Sequence, residues 1–229
     1  ESYFSKSQVL AGKKILITAG PTYEAIDPVR FIGNHSTGKM GYALAKTCLT
    51  LGAEVVLISG PSNESISENP ALQLIKEQSA KEMLVAAEEN FAKADIGIMS
   101  AAVADYAPKN VADKKIKKSE DTLTIELIRN PDIAKTLGAK KRKNQLLIGF
   151  ALETDNEEVN AKRKLEAKNF DLIILNSLQD EGAGFAHNTN KVTLITSKDS
   201  LSLPLLSKDE TANKIIDYVV GLLNQKTGN

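Results

Sequence analysis

Cysteine, histidine and tryptophan are scarce in this chain of 229 residues: there is one cysteine, there are two histidines and there is no tryptophan. The single cysteine, Cys48, excludes an intrachain disulfide, which fits a reducing, cytoplasmic setting. It falls inside a predicted helix and reads as a small buried residue. Two histidines and one cysteine leave no plausible zinc site. Long apolar runs are missing as well. Nothing approaches the roughly 20 residues of a membrane span, and the opening "ESYFSKSQVL" lacks signal-peptide anatomy. Nor is there an excess of either charge, because Lys plus Arg and Asp plus Glu both total 29. That balance argues against a protein that coats nucleic acid or an anionic membrane. An initiator Met is absent, so the chain reads as a fragment of a longer protein, a processed chain or a trimmed one.

What is present is ordinary globular composition, 42% hydrophobic and 25% charged, arranged as alternating strands and helices. "KKILITAG" (Lys13–Gly20) is a short β-branched apolar run ended by Gly-Pro, a buried strand. A loop, "PTYEAIDPVRFIGNHST", follows without clean period. Gly38–Leu51 sets Met40, Leu44, Cys48 and Leu51 on one helical face. Gly52 ends it, and "EVVLISG" (Glu54–Gly60) is the next strand, which makes a right-handed βαβ unit. Ser79 with Glu82 and Ser207 with Glu210 are capping-box signatures ahead of further helices. "DIGIMSAAVADY" begins as a strand and becomes a loop near Ala101. "TLTIELI" (Thr122–Ile128) alternates with period two, as a strand does. Asn130 and Pro131 look like an N-cap and first helical residue. "LLIGFAL" and "DLIILN" are buried strands around a charged helix, Glu157–Asn169. "KVTLITSKDSLSLPLL" reads as a hairpin near a sheet edge, with Pro204 unsuited to a central strand. The expectation is an α/β fold: one Rossmann-like, doubly wound, mostly parallel sheet over residues 1–229, with a small mixed β extension. The polar, lysine-rich stretch Asp105–Thr122 is the candidate flap.

The stretch "GNHSTGKMGYAL" nearly spells a P-loop. Gly33, Gly38 and Lys39 stand where G-x-x-x-x-G-K-[ST] wants them, but Met40 replaces the Mg²⁺-binding hydroxyl. About a dozen residues also separate Gly20 from Gly33, whereas a P-loop follows its strand at once. The dinucleotide fingerprint G-x-G-x-x-G is absent too. What survives is chemistry common to both: small polar side chains at Asn34, Ser36 and Thr37, close backbone approach at Gly38 and Gly41, and a helix start that attracts anions. A plain N-cap by Ser36 or Thr37 is the blander alternative. A Rossmann oxidoreductase is undercut further by Ser59 and Gly60, which end "EVVLISG" where an acidic ribose partner belongs. A non-catalytic nucleotide sensor would not need both a substrate cradle and a flap lysine.

"ITAGPTYEAIDPVRFIGNHSTGKMG", "SAAVADY", "KKIKK", "RNPDI", "GFALET" and the helix bearing Lys164 and Lys168 resemble, in order, the phosphopantothenoylcysteine synthetases of coenzyme A biosynthesis. The likeness runs from about Lys13 to Leu223 and is strongest to the synthetase half of bacterial bifunctional decarboxylase/synthetases. It implies a phosphopantothenate–cysteine ligase. CTP with Mg²⁺ would turn the carboxylate of 4′-phosphopantothenate into an acyl nucleotidylate, and L-cysteine would then displace CMP. An ATP-using version is the alternative.

The resemblance also implies roles. Asn34 holds the acyl group and serves the second half-reaction. Gly33, Ser36, Thr37 and Gly38, with Ala101 and Ala102, bind the phosphorylated acid. Asp105 contacts the nucleotide. Lys115 closes on the triphosphate from the flap. Asn130, Pro131, Asp132 and Ile133 form a nucleotide-contacting turn, Phe150 lies beside the base, and Lys164 and Lys168 meet the triphosphate. Taken singly, Asp105 reads as a cap or lysine partner, Phe150 as a core aromatic, and the three lysines as solvated charge. Thr37 stands where relatives often have Ser. His35 and His187 receive no role, and no protein ligand of Mg²⁺ is assigned. The resemblance further implies a homodimer, for which the hairpin Lys191–Leu206 is the pairing candidate, and a flavin-dependent decarboxylase fused ahead of residue 1.

Overall fold

A computed structural model describes residues 8–117, 122–153, 156–177 and 189–228. The elements run β1 (Lys14–Ala19), β2 (Tyr23–Ala25), β3 (Phe31–Gly33), α1 (Lys39–Thr50), β4 (Glu54–Ser59), β5 (Leu72–Lys76), α2 (Ala80–Phe91) and β6 (Ile96–Met99). They continue with β7 (Tyr106–Pro108), β8 (Leu127–Arg129), α3 (Ile133–Lys140), β9 (Leu146–Glu153), α4 (Glu157–Ala167) and β10 (Leu172–Ser177). Last come β11 (Thr189–Asn190), β12 (Val192–Ile195), β13 (Ser200–Ser202), β14 (Leu206–Ser207) and α5 (Lys208–Thr227).

One sheet of eight strands, in the order β13-β12-β10-β9-β6-β1-β4-β5, forms the frame. The strands from β10 through β5 run parallel, while β12 and β13 join antiparallel at the β10 edge. The chain winds outward from β1 to β4 and β5, then returns to the other side through β6, β9 and β10. This is the doubly wound order, and its reversal lies between β1 and β6. The period-two alternation of β1 divides the core. Ile15, Ile17 and Ala19 pack with α1 and α5 residues such as Leu44, Cys48 and Ile215, whereas Leu16 faces Met83, Phe91 and Leu137 of α2 and α3. Cys48 is buried and its thiol pKa is pushed far up by that burial. Both capping boxes, Ser79–Glu82 and Ser207–Glu210, are formed.

Four sequence expectations shift. β5 went unread because it is an edge strand with largely exposed, weakly alternating residues. The loop after β1 contains the β2–β3 hairpin, held by the stacked rings of Tyr23 and Phe31, 3.8 Å between centroids. Of Thr122–Ile128, only Leu127 and Ile128 belong to a strand, because β8 pairs solely with the three-residue β7. The N-cap of α3 is Asp132, whose carboxylate accepts from Lys135 N at 2.9 Å, and not Asn130. Asn130 is committed elsewhere, its amide donating to Ala104 O at 2.9 Å.

Gly149 in β9 faces Phe170, and a Cβ there would run into the ring. We predict that Gly149→Ala lowers unfolding free energy by about 1–3 kcal/mol, read as a reduced urea midpoint with unchanged slope.

Candidate functional site

The reversal between β1 and β6 opens into a cleft of about 980 Å³, large enough for more than one metabolite. Three segments wall it, and each is placed by identifiable chemistry.

The first wall is the start of α1. Gly38 is the N-cap in a left-handed conformation, φ 86°, and a side chain there would also strike Ser62 Oγ. Gly41 lets the helix close on β1, since a Cβ would meet that of Ala19. No side chain caps the helix and its first turn carries no acid. Ser36 Oγ only approaches Gly38 N at 3.4 Å, so the plain N-cap alternative is not adopted. The first-turn N–H groups and the positive dipole end border the cleft.

The second wall, Ser100 to Asp105, is stitched to the end of β1. Ala102 N donates to Gly20 O at 2.9 Å, and Ala104 N donates to Thr22 Oγ1 at 2.9 Å. Asn34 crosses from the first wall. Its Nδ2 donates to Ala102 O at 2.9 Å and Val103 O at 3.2 Å, which leaves its Oδ1 as the amide atom with capacity to spare. Asn130 N donates to Asp105 O at 2.8 Å, tying in the third wall.

The third wall is the turn Asn130–Ile133 and the start of α3, faced by α4. Lys168 pairs with Asp132 at 3.0 Å and Lys164 with Glu153 at 2.5 Å. Both lysines border the cleft, and their partners lie off their own helix. Burial alone would raise the Asp132 pKa, but the Lys135 N–H and the hydrogen bond and charge of Lys168 outweigh it. The carboxyl therefore stays below its ordinary range.

Of the residues expected from sequence, Asn34, Ser36, Thr37, Gly38, Ala101, Ala102, Asp105, Asn130, Pro131, Asp132, Ile133, Phe150, Lys164 and Lys168 meet on this cleft. Gly33 and Lys115 do not line it. Gly33 sits in β3 opposite Tyr23, where a Cβ would collide with the ring, so packing accounts for its glycine. Lys115 is exposed on the segment between β7 and β8. His35 is exposed, and His187 lies outside the described residues.

Sequence reading missed Lys208, Asn176 and Asn190, which also line the cleft, as does Lys39 of the near-P-loop match. Lys208 is nearly buried, and its pKa is lowered by burial and by Lys39 nearby, against the opposing charge of Glu64. Asn176 Oδ1 is buried without a hydrogen-bond partner among the described residues. A state left that way costs about 1–3 kcal/mol, and a donor arriving in the cleft would relieve it. Nothing in local spacing marks Lys208, Asn176 or Asn190, because they come from the ends of separate elements. Among the described residues, no three His, Cys, Asp or Glu side chains gather as a metal cluster, and no helix is long and apolar enough to cross a membrane.

Comparison with known proteins adds independent findings. The family described as DNA/pantothenate metabolism flavoprotein C-terminal domain matches residues 10–223. The coenzyme A biosynthesis bifunctional protein CoaBC of Bacillus subtilis (strain 168) is 48% identical over 98% of this chain and 56% of its own length. A cysteine/cysteine sulfinic acid decarboxylase from an unknown prokaryotic organism is 47% identical over 97% of this chain and 63% of its own length. The chain thus spans less than two thirds of the length of these relatives. The crystal structure of the C-terminal domain of a CoaBC protein superposes with a TM-score of 0.81 at 43% identity, covering 96% of this chain and all of that domain.

Two lysines beside an uncapped helix start make an anion site whose strength depends on Lys208 remaining charged. We predict that pyrophosphate binding, followed by calorimetry, fades as pH rises through a range below that of an ordinary lysine. Lys208→Met should weaken binding at neutral pH by roughly tenfold or more and remove that part of the pH dependence.

Proposed function

The chain belongs to the DNA/pantothenate metabolism flavoprotein C-terminal domain family, and on that premise we propose that it is a phosphopantothenate–cysteine ligase acting in coenzyme A biosynthesis. The reaction has two steps. The carboxylate of 4′-phosphopantothenate attacks the α-phosphorus of CTP, forming a mixed anhydride and releasing pyrophosphate. The neutral amine of L-cysteine then attacks the acyl carbon, the C–O bond to CMP breaks, and the amine proton leaves to solvent.

The observation that carries this reading is the Asn34 crossing. It links an uncapped helix start, suited to a phosphate, to the Ala101–Asp105 wall and so to the turn at Asn130. An activation chemistry needs two anions brought together, and the cleft has separate cations for each: Lys39 and Lys208, and Lys164 and Lys168. The second pair is held by Asp132 and Glu153, partners that an entering triphosphate would outbid in charge. With its Nδ2 committed to two carbonyls, Asn34 offers Oδ1 as acceptor for the N–H of an incoming amine, which orients the nucleophile. Mg²⁺ would travel with the triphosphate, bound largely by phosphate oxygens and water. CTP is the expected nucleotide and ATP the alternative.

The oxidoreductase reading has the strand order in its favour but lacks a ribose partner. Ser59 ends β4 buried, donating to Gly60 O at 2.8 Å and bonded to Tyr42 Oη at 3.1 Å. A homodimer, with the β12–β13 hairpin as pairing element, and a flavin-dependent decarboxylase as fused partner complete the proposal.

Pyrophosphate release measured with CTP, ATP, GTP and UTP at equal concentration tests it. Release should require 4′-phosphopantothenate and be fastest with CTP. Carbon dioxide evolved from cysteine without any nucleotide would instead align the chain with the decarboxylase among its relatives. Asn34→Asp should retain pyrophosphate release yet stall amide formation. Lys115→Gln should slow release by about 10²-fold or more, the range for losing a charge-stabilising donor.

A further inference from the structure

Between β2 and β3 the chain turns at Asp27, whose side chain is wholly enclosed. Its Oδ1 accepts from Val29 N at 2.8 Å and Arg30 N at 2.9 Å. Its Oδ2 accepts from Arg30 Nε at 3.0 Å, Arg30 Nη2 at 2.5 Å and, from 89 residues away, Ile116 N at 3.1 Å. Arg30 Nη2 also donates to Ile116 O at 3.2 Å. One ion pair therefore grips both the N–H and the C=O of Ile116, next to Lys115. A second tie, Ala112 N to Ile26 O at 3.0 Å, lies a few residues earlier in the same segment. Residues 109–117 form no helix or strand, so these bonds supply the local order that regular structure would otherwise give.

The grip is stable chemically. Arg30, then the Val29, Ile116 and Arg30 N–H groups, hold the Asp27 carboxyl far below the usual carboxylate range against the opposing effect of burial. The carboxylate is thus charged at any working pH. It is also placed to connect two parts of the site, because β3 leads from this turn directly into Asn34. The same hairpin that carries the substrate cradle on one end holds the lysine segment at the other.

We propose that Asp27 is a positioning residue: its carboxylate, aligned by Arg30, anchors the Ile116 peptide so that Lys115 reaches a bound phosphate from a fixed backbone. The inference rests on the ligase reading given above. A flexible lysine stem loses much rotamer freedom on engaging a phosphate, and an anchored backbone reduces what remains to be ordered.

Two variants test it. Asp27→Asn removes the charge, and Arg30→Lys keeps a cation beside Asp27 while removing the guanidinium donor to Ile116 O, which guards against a folding failure. Each should slow single-turnover pyrophosphate release by about tenfold and leave cysteine-dependent decay of preformed acyl nucleotidylate within twofold. In a Lys115→Gln background neither should slow release further. Trypsin should cut after Lys114, Lys115 or Lys117 several-fold faster in both variants, a readout that needs no substrate. Wild-type cleavage rates in both variants overturn the anchor, and a full additional loss in the Lys115→Gln background overturns its action through Lys115. If the parent protein releases no pyrophosphate at all, the ligase reading fails, while the protease comparison still judges the anchor.

Discussion

The site depends on how closely α1 approaches β1. Gly41 permits that approach, and Gly38 starts the helix in a left-handed conformation closed to ordinary side chains. The consequence is a helix whose N-terminal donors are left uncapped at the reversal point of the sheet. An uncapped start is a local cost, since hydroxyls at Ser36 and Thr37 are at hand and neither caps it. On the proposed ligase reading that cost becomes binding capacity, because an incoming anion supplies the missing acceptors.

Around this helix start the remaining walls are joined mainly by backbone and amide hydrogen bonds. Asn34 donates to the carbonyls of Ala102 and Val103, Asn130 donates to the carbonyl of Ala104, and the Asn130 N–H reaches Asp105. Such a seam fixes distances without introducing charge, so the field inside the cleft is left to its lysines, to Asp105 and Asp132, and to the α1 dipole. The cations are restrained by acids outside the helix that carries them, as in Lys164 with Glu153. The charges of Lys164 and Lys168 are thereby balanced within the fold.

Much of this was legible in the residues. The alternation of strands and helices, both capping boxes and the split of the near-P-loop from its strand all read correctly, since each depends on neighbours within a few positions. The conserved-looking order of blocks led to most cleft residues. The errors share a cause. Asn130 looked like a cap because the pattern Asn-Pro before a helix is locally favourable, but its amide is consumed by Ala104, 26 residues earlier. Gly33 does not line the cleft, and its hydrogen side is taken by Tyr23. Lys208 and Asn176 carried no local signal, because only the sheet brings the ends of α5 and β10 to the cleft.

The sequence by itself determined the fold class, the position of the helix start, and the kinds of group available for anion chemistry. These follow from periodicity, glycine placement and composition, which act over short spans. The tertiary structure alone decided that Lys208 joins Lys164 and Lys168 on the cleft, which amide atoms are already committed, and that Asp27 grips a peptide 89 residues away. Hydrogen-bond partners across such separations depend on how the strands are ordered in the sheet. No local rule contains that order, which emerges only when the whole core packs.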